Sequence, residues 1–240
     1  MLRFWFVILV SIPFIILLYV KEADMRKREY KYSEEDRYRF ARKIANTLRR
    51  NANIKTLVYG QENLPREGGY VMYPNHQGKY DAVGIIYGHR EPCTIVMDEK
   101  RSHLPIMSPY LSVLRGSTLD RESIKSQAET IRKIITEVKD GRRYIMFPEG
   151  GYDKNHNNVR EFMPGAFKCS LRSKTPIVPV ALIDSYKPFG VNSLRRVKTQ
   201  VHFLPPIPYD EYKNMNTEEI AGLVRKMIID KINMQLGINS

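Results

Sequence analysis

Cysteine is scarce in this 240-residue sequence, which contains only Cys93 and Cys169. Two cysteines exclude the disulfide framework of small secreted domains and predict that the folded part works in a reducing compartment. Both thiols lie in apolar stretches, so we expect them in the core and not as nucleophiles. A chain of this length can bury one sizeable core without such cross-links.

Metal-binding spacings are missing as well. The histidines form no H-x3-H or H-E-x2-H pattern, and no cysteine pair stands near them. We therefore expect no metal site. The histidines are His76, His89, His103, His156 and His202.

Acidic residues are outnumbered, since 26 Asp and Glu face 39 Lys and Arg, which gives a formal net charge of +13. This excess predicts an anionic partner: nucleic acid, a membrane surface or a phosphorylated substrate. Much of the positive charge lies beside the apolar N-terminus, and the sequence shows no nucleic-acid-binding motif. We therefore expect membrane lipid, and not nucleic acid, as the partner.

Residues 4–20 carry no charge and lie between Arg3 and Lys21. Their length is at the short edge of what a spanning helix needs, and Pro13 predicts a kink. Because no small-residue cleavage site follows, we expect an uncleaved membrane-anchoring helix and not a signal peptide. Whether it spans the bilayer or lies in one leaflet stays open. Basic residues downstream predict a cell-membrane protein with its active domain on the cytoplasmic face.

Residues 33–51 have the pattern of a basic amphipathic helix. Ser33 is a suitable N-cap, three acidic residues follow it, and a narrow apolar stripe runs along one side. Two interpretations stay open: an interfacial helix on anionic lipid, or a solvated helix docked on the protein core. The anchor and this helix form a predicted N-terminal region, residues 1–53, ahead of an α/β domain at residues 54–240.

From residue 54 onward, short β-rich runs alternate with helical patterns, which predicts an α/β fold with a mixed, largely parallel sheet flanked by helices. The predicted strands are residues 54–60, 70–74, 94–98, 143–148, 177–183 and 201–207, and the predicted helices are residues 81–88, 122–139, 164–173 and 217–236. Functional loops in such sheets follow the carboxyl ends of strands. Residues 75–76 and 149–150 both follow strands, so we expect these two loops to converge.

His76 and Asp81 are the first candidates for chemistry. Residues five apart on a continuous helix do not face each other. They can meet if His76 lies in a turn, with Gly78 supplying flexibility, and Asp81 opens the next helix. Asp81 would then orient the imidazole as a general base for an alcohol. On spacing alone, the alternative is an ordinary helix N-cap at Asp81 beside an exposed turn histidine.

Four segments together resemble the glycerolipid acyltransferases, in particular the bacterial lysophosphatidate acyltransferases. Residues 75–81 (NHQGKYD) are similar to the N-H-x4-D motif, residues 147–151 (FPEGG) to the F-P-E-G motif, and residues 175–182 (TPIVPVAL) to a proline-centred motif. Residues 119–121 (LDR) stand where that family has an arginine block. The segments occur in family order across residues 54–207, and their combination is highly specific.

This resemblance implies an enzyme that moves a fatty acyl group from a thioester of coenzyme A or acyl-carrier protein to the sn-2 hydroxyl of lysophosphatidate. The product would be phosphatidate, for phospholipid biosynthesis, and no cofactor is implied beyond the thioester co-substrate. His76 and Asp81 become the catalytic pair. The implied substrate-binding residues are Arg121, Glu149, Gly150, Asn75, Lys100, Lys154 and Pro179.

Several of these roles have plain alternatives. Arg121, the first choice for the acceptor phosphate, could form a surface ion pair with a neighbouring acid, and Lys100 could lie in a solvated loop. We expect Pro179 to shape a strand end beside an acyl channel, or to be an edge-strand proline without function. We expect Glu149 to bind a glycerol hydroxyl or to order its loop, and Asn75 to anchor the turn.

One departure from the family pattern concerns the acceptor. The family motif continues E-G-T-R-S, whereas residues 151–153 read GYD here, so an arginine assigned to the substrate phosphate is missing. Lys154 or Arg160 could substitute for it. The departure keeps a different lysolipid acceptor open. An alternative of another class is a non-catalytic module that binds anionic membranes.

Overall fold

The computed structural model describes residues 2–238. Its strands are β1 (Ile54–Tyr59), β2 (Tyr70–Pro74), β3 (Thr94–Asp98), β4 (Ser117–Leu119), β5 (Arg143–Ile145), β6 (Ile177–Ile183) and β7 (Val197–Phe203). They form one sheet in the order β1-β7-β6-β2-β5-β3-β4. Neighbours run parallel except β6 and β7, which are antiparallel. The mixed, largely parallel sheet is therefore confirmed.

Helices cover both faces of this sheet. In chain order they are α1 (Leu2–Val10), α2 (Ile12–Lys27), α3 (Glu34–Asn51), α4 (Asp81–Gly88), α5 (Glu99–Ser102), α6 (Met107–Val113), α7 (Ile124–Lys139), α8 (Lys168–Ser173), α9 (Lys187–Gly190), α10 (Tyr209–Tyr212) and α11 (Thr217–Leu236). Side chains of α2, α3, α4 and α6 join the core on one face. Those of α7, α8 and α11 join the core on the other. The α/β class is confirmed.

Most predicted elements from residue 54 onward are present, with some shifts. Five have the observed bounds: residues 70–74, 94–98, 177–183, 81–88 and 217–236. β5 ends at Ile145, ahead of Pro148, which has no N–H to donate to a ladder. β7 begins earlier than predicted, at Val197. In its first half, which pairs with β1, the buried Thr199 and Val201 alternate with the more exposed Lys198 and Gln200. β4 was not predicted, because three residues are too few to show a period.

The central strand β2 is buried on both faces, as parallel strands between helical layers are. Its side chains alternate between the two cores: Tyr70 and Met72 face α3 and α4, whereas Val71 and Tyr73 face α7 and α11. β5 and β6 pair with it on either side. The loop after β2 therefore begins at a strand end whose side chains are all buried.

Each cysteine lies in one of these two cores. Cys93 belongs to the cluster around α3 and Cys169 to the cluster around α11. Burial raises the pKa of each thiol to about 12. The prediction of core packing is confirmed, since neither sulfur forms a thiolate near neutral pH.

Pro179 is the third residue of β6, an inner strand, so the expected position at a strand end or on an edge strand is wrong. It stands opposite Tyr73 on β2, and its carbonyl accepts a hydrogen bond from Leu204 N (3.0 Å). The β6–β7 ladder begins only at Val180, opposite Phe203. Proline fits here because the regular ladder starts after it. Its role beside an acyl channel stays a prediction.

The apolar N-terminus forms two helices where the sequence predicts one. α1 and α2 meet at Ser11 with a bend of 61°. Pro13 then lies in the first turn of α2, where its missing N–H leaves no bond unmade. Within residues 2–238 no helix alone has the length and apolar composition to cross a bilayer; only this bent pair does, taken as a unit. Arg3 is buried, and its Nη1 donates to the Pro188 carbonyl (3.2 Å), which fastens α1 to the α/β part.

The helix predicted at residues 33–51 is α3, and a capping box begins it. Ser33 Oγ accepts from Asp36 N (3.1 Å), while Asp36 Oδ2 accepts from Ser33 N (3.2 Å). Its apolar stripe faces the protein, because Ala41 is fully buried and its carbonyl accepts from Tyr110 Oη (3.2 Å). Of the two interpretations, this packing favours docking on the core. The boundary at residue 53 stays a prediction.

We expect Ala41→Leu to lower the free energy of unfolding by about 1–3 kcal/mol, because three extra carbons have no space beneath α3. Denaturant unfolding of the full chain in detergent measures this. Lys43→Leu, on the exposed side of the same helix, is the matched control and should change stability little. Unchanged stability of Ala41→Leu together with tighter vesicle binding would show that the stripe faces lipid instead.

Candidate active site

Five parallel strands, β6, β2, β5, β3 and β4, end at the same edge of the sheet. The loop after β2 carries His76, and the loop after β5 carries Glu149. These two loops touch, because the backbone N of His76 donates to Glu149 Oε1 at 2.8 Å. The predicted convergence of the loops is confirmed.

His76 and Asp81 meet across the turn between β2 and α4. His76 Nδ1 lies 2.6 Å from Asp81 Oδ2. Since a carboxylate only accepts hydrogen bonds, Nδ1 carries the proton and Nε2 presents a lone pair. The imidazole is 15% exposed and the carboxyl is 0% exposed. An imidazole that is held at Nδ1 by a carboxylate and is accessible to solvent can take a proton from a hydroxyl at Nε2.

Asp81 holds the turn together as well as the imidazole. Its Oδ2 also accepts from the backbone N of Gln77 (2.6 Å) and of Gly78 (2.9 Å). These donors and the positive end of α4 offset the cost of burying a carboxylate. The N-cap of α4 is Tyr80, so the alternative of a plain Asp81 cap is wrong. Gly78 lies outside the left-handed region, so the bonds to Asp81, and not glycine flexibility, shape this turn.

Glu149 joins the two loops. Besides His76 N, the backbone of Arg160 hydrogen-bonds to its carboxyl group. Burial raises the pKa of Glu149 to about 7, against the opposing effect of these bonds and of the Arg160 charge. Asn155 reinforces the junction, since its Nδ2 donates to the His76 carbonyl (2.9 Å). These contacts favour the loop-ordering role among the two expected for Glu149.

Two side-chain amides fasten the His76 turn to the end of β6. Asn75 Nδ2 donates to the Leu182 carbonyl (3.1 Å), and Leu182 N donates back to Asn75 Oδ1 (2.7 Å). Gln77 Nε2 donates to the same carbonyl (2.7 Å), and Gln77 Oε1 accepts from Ser185 N (2.8 Å). The structure thus places Asn75 where it anchors the turn, as expected.

Aromatic rings enclose the imidazole on two sides. Phe147 stacks on His76 with ring centroids 4.2 Å apart. Tyr152 meets the imidazole edge-to-face at 4.6 Å. The guanidinium carbon of Arg101 lies 5.3 Å from the Tyr152 centroid. Burial raises the pKa of Tyr152, so its hydroxyl stays neutral. The site therefore combines an oriented base with an apolar wall and a nearby cation.

Arg121 reaches the same loop from the end of β4. Its Nε pairs with Asp98 Oδ2 at 3.2 Å, and not with an acid next to it in sequence. A Cβ added at Gly150 would lie 3.4 Å from Arg121 Nη1, so the guanidinium adjoins the glycine loop. Lys100 instead forms an exposed ion pair with Glu122. Of these two predicted phosphate contacts, the structure brings Arg121 to the site and holds Lys100 in a surface pair.

The glycine loop has a backbone that other residues would strain. Gly150 has φ +70° and Gly151 has φ +156°, and a Cβ at Gly150 would meet Met163 Sδ at 2.7 Å. Lys154 is exposed, and it makes no ion pair with any of the residues 2–238. Arg160 contacts the loop through Nη1, 3.4 Å from the Gly151 carbonyl. Of the two proposed substitutes for the missing arginine, only Arg160 contacts the loop.

The remaining histidines include two that are buried and structural. His89 is held between Tyr70 Oη (2.7 Å from Nε2) and the Glu91 carbonyl (2.7 Å from Nδ1), and burial lowers its pKa to about 4. Burial likewise lowers the pKa of His202 to about 4. Across the described part of the chain, no three His, Cys, Asp or Glu side chains cluster as a metal ion requires.

Sequence reasoning missed several residues of this site. They are Gln77, Asp98, Arg101, Tyr152 and Asn155. All lie in loops or at element ends, where no periodicity marks a position. Two of them carried a signal, since Gln77 stands inside the N-H-x4-D segment and Tyr152 stands where the family pattern has an arginine. The other three come close through the sheet topology.

A model of the acyltransferase family matches residues 55–183, more than half of the chain. The chain belongs to the acyltransferase family. The family resemblance carried by the sequence motifs is confirmed, and the matched range contains both loops of the site.

Named relatives agree with this membership. The 1-acyl-sn-glycerol-3-phosphate acyltransferase of Borreliella burgdorferi is 27% identical over 183 residues, covering 75% of this chain and 73% of that protein. The Escherichia coli protein of the same name is 26% identical over 166 residues, covering 69% and 67%. The crystal structure of a 1-acyl-sn-glycerophosphate acyltransferase from Thermotoga maritima superposes with a TM-score of 0.74 at 20% identity, covering 100% of this chain and 95% of that one. That likeness supports the fold of this acyltransferase.

The raised pKa of Glu149 predicts a pH-dependent stability. A carboxyl whose pKa rises from 4.5 to about 7 on folding favours the folded state at low pH, and this contribution is lost as pH rises through 7. Relative to Glu149→Gln, the wild type should lose up to about 3 kcal/mol of unfolding free energy between pH 4 and pH 8. Denaturant titrations across that range measure the difference.

Glu161→Gln is the matched control, because its side chain is 87% exposed. Its difference from wild type should stay nearly flat over the same range. A pH-independent difference for Glu149→Gln would show that the buried carboxyl does not titrate near neutrality.

Proposed function

We propose that this acyltransferase moves a fatty acyl group from an acyl thioester to the sn-2 hydroxyl of lysophosphatidate and so makes phosphatidate. One observation carries the proposal: the 2.6 Å contact of His76 Nδ1 with the buried Asp81 carboxylate, which leaves Nε2 as a base. The names of the relatives from two bacteria support lysophosphatidate as the acceptor. Coenzyme A and acyl-carrier protein are both anionic carriers, and the net charge of +13 suits either.

In the proposed reaction, one proton moves twice. His76 Nε2 takes it from the acceptor hydroxyl as the oxygen attacks the thioester carbonyl, and the Asp81 carboxylate stabilises the imidazolium. When the tetrahedral intermediate collapses, the C–S bond breaks and the leaving thiolate takes the proton from Nε2. Because a thiolate leaves readily, the reaction needs no acyl-enzyme, and the buried cysteines have no part in it.

The oxyanion of that intermediate needs fixed donors. The Gly78 amide already donates to Asp81. The Gly150 amide likewise donates to the Phe147 carbonyl (3.3 Å). The candidate is therefore the amide of Gly151, the next residue of the glycine loop. Glu149 contributes by holding the two loops at a fixed separation.

The same proposal puts the active domain on the cytoplasmic face of the cell membrane, with the exposed apolar side of α1, and of α2 as far as Val20, in the bilayer. These helices expose a set of large apolar side chains: Leu2, Trp5, Phe6, Leu9, Val10, Ile12, Ile16, Tyr19 and Val20. α1 adjoins the catalytic turn, because Lys79 Nζ lies 4.3 Å from the Phe4 ring centroid and Val7 packs with Tyr80. The bend between the helices suits insertion into one leaflet, from which a lysolipid reaches His76 directly.

His76→Ala should lower kcat for lysophosphatidate-dependent thiol release at least a hundredfold, because it removes the general base. Release of free thiol from an acyl thioester, with and without added lysophosphatidate, measures this.

His103→Ala is the matched control, because His103 is exposed on the surface, and it should keep wild-type turnover. Turnover in His76→Ala equal to that of the control would exclude this mechanism. Liposome binding without any thioester turnover in the wild type would favour the non-catalytic membrane module instead.

A second acceptor class is favoured by one observation, the tyrosine at position 152 where the family pattern has an arginine. Another lysolipid would then replace lysophosphatidate in the same reaction. Purified protein with two thioester donors and a panel of lysolipids, with products identified by mass, separates the two acceptors.

A further inference from the structure

The guanidinium of Arg101, on the short helix α5, lies beside the active site. Its Cζ is 5.3 Å from the centroid of Tyr152, whose ring meets His76 at 4.6 Å. Arg101 is exposed, and its side chain forms no ion pair with a carboxylate anywhere in residues 2–238. A cation and the proposed base thus share one aromatic ring as a neighbour.

Asp98 brings Arg101 and Arg121 to the same corner of the sheet. At the end of β3, its Oδ1 accepts from the backbone N of Arg101 (3.2 Å), and its Oδ2 pairs with Arg121 Nε (3.2 Å). β4 lies next to β3, with Leu119 opposite Asp98, so Arg121, two residues after Leu119, lies near Asp98. Because Asp98 occupies Nε, the terminal nitrogens of Arg121 face the loop at Gly150.

The cations around this corner differ in how far their charge is balanced. Asp98 balances Arg121, and Glu122 balances Lys100. The positive charge of Arg160 lowers the pKa of the nearby Glu149 carboxyl. Arg101 contacts an aromatic ring, which attracts a cation but does not neutralise it. Arg101 therefore contributes a positive charge at this corner that no carboxylate balances.

We propose that Arg101 is a further residue that binds the phosphate of the acceptor, beside the Arg121 that the family resemblance already implies, and that Arg101 sets the preference for a phosphomonoester. This inference rests on the proposed function. A phosphomonoester carries close to two negative charges at pH 7, more than the pair of Arg121 with Asp98 can balance. The hydroxyl and the phosphate of glycerol phosphate are a few bonds apart. In the proposed arrangement the glycerol lies along the Tyr152 ring, which contacts both His76 and Arg101, with its hydroxyl at His76 and its phosphate at Arg101.

Arg101→Ala should raise KM for lysophosphatidate about tenfold to a hundredfold, because a charge-assisted hydrogen bond is lost, and should leave kcat within about threefold. KM for the acyl thioester should stay unchanged. Arg132→Ala, on the exposed side of α7, is the matched control and should keep both constants. An unchanged KM for lysophosphatidate overturns the inference. So does a fall in kcat alone, which would mean that Arg101 only positions Tyr152 against His76.

A rescue variant tests where the charge is needed. The Tyr152 ring contacts both the Arg101 guanidinium and the His76 imidazole. The substitution Tyr152→Arg therefore puts a second guanidinium next to the proposed phosphate position. In the double variant Arg101→Ala with Tyr152→Arg, KM for lysophosphatidate should return toward the wild-type value. A KM that stays at the level of Arg101→Ala would contradict a phosphate bound at this corner.

A binding measurement separates this inference from the proposed function. Calorimetric titration of short-chain lysophosphatidate into the full chain in detergent needs no turnover. Weaker binding to Arg101→Ala than to Arg132→Ala supports the phosphate site even if no thioester reacts. Equal affinity of both variants for lysophosphatidate would contradict phosphate binding by Arg101, whatever the activity of the wild type.

Discussion

The site depends on burying one carboxylate at the start of α4. Asp81 is fully buried, and a charge taken out of water is costly unless several donors meet it. Its Oδ2 accepts from the imidazole and from two backbone amides of the preceding turn. The same oxygen thus shapes the turn and selects the tautomer of His76. Loss of that charge would loosen the turn and free the ring together.

The sheet supplies the rigid frame on which this turn is mounted. Five parallel strands end at one edge, so residues far apart in sequence become neighbours there. The loop after β2 carries His76, and the loop after β5 carries Glu149 and the glycines. The main chain of β6 supplies the carbonyl to which Asn75 and Gln77 donate hydrogen bonds. β3 and β4 deliver the two arginines. The chemistry is therefore assembled by topology, whereas each loop by itself shows only a short polar segment.

This division explains how much of the molecule could be predicted from its sequence. The pair of His76 and Asp81 was predictable, because both partners lie in one short turn between a strand and a helix pattern. Strands such as β2 and β6 were predictable, because burial on both faces leaves continuous apolar runs. Arg101 and Asn155 were not, since their places at the site follow from strand order and loop path, which no local pattern encodes. The helix break at Ser11 was expected at Pro13 as a kink, but proline favours the first turn of a new helix.

The proposed chemistry requires that Asp81 keep the neutral imidazole of His76 protonated at Nδ1 and unprotonated at Nε2. Nitrogen-15 NMR of histidine-labelled protein in detergent tests this most directly, with His76→Gln used to assign the signal. We expect a protonated Nδ1 and an unprotonated Nε2 for the neutral ring of the wild type, and a mixture of tautomers in Asp81→Asn. A neutral His76 that carries its proton on Nε2 in the wild type would contradict it.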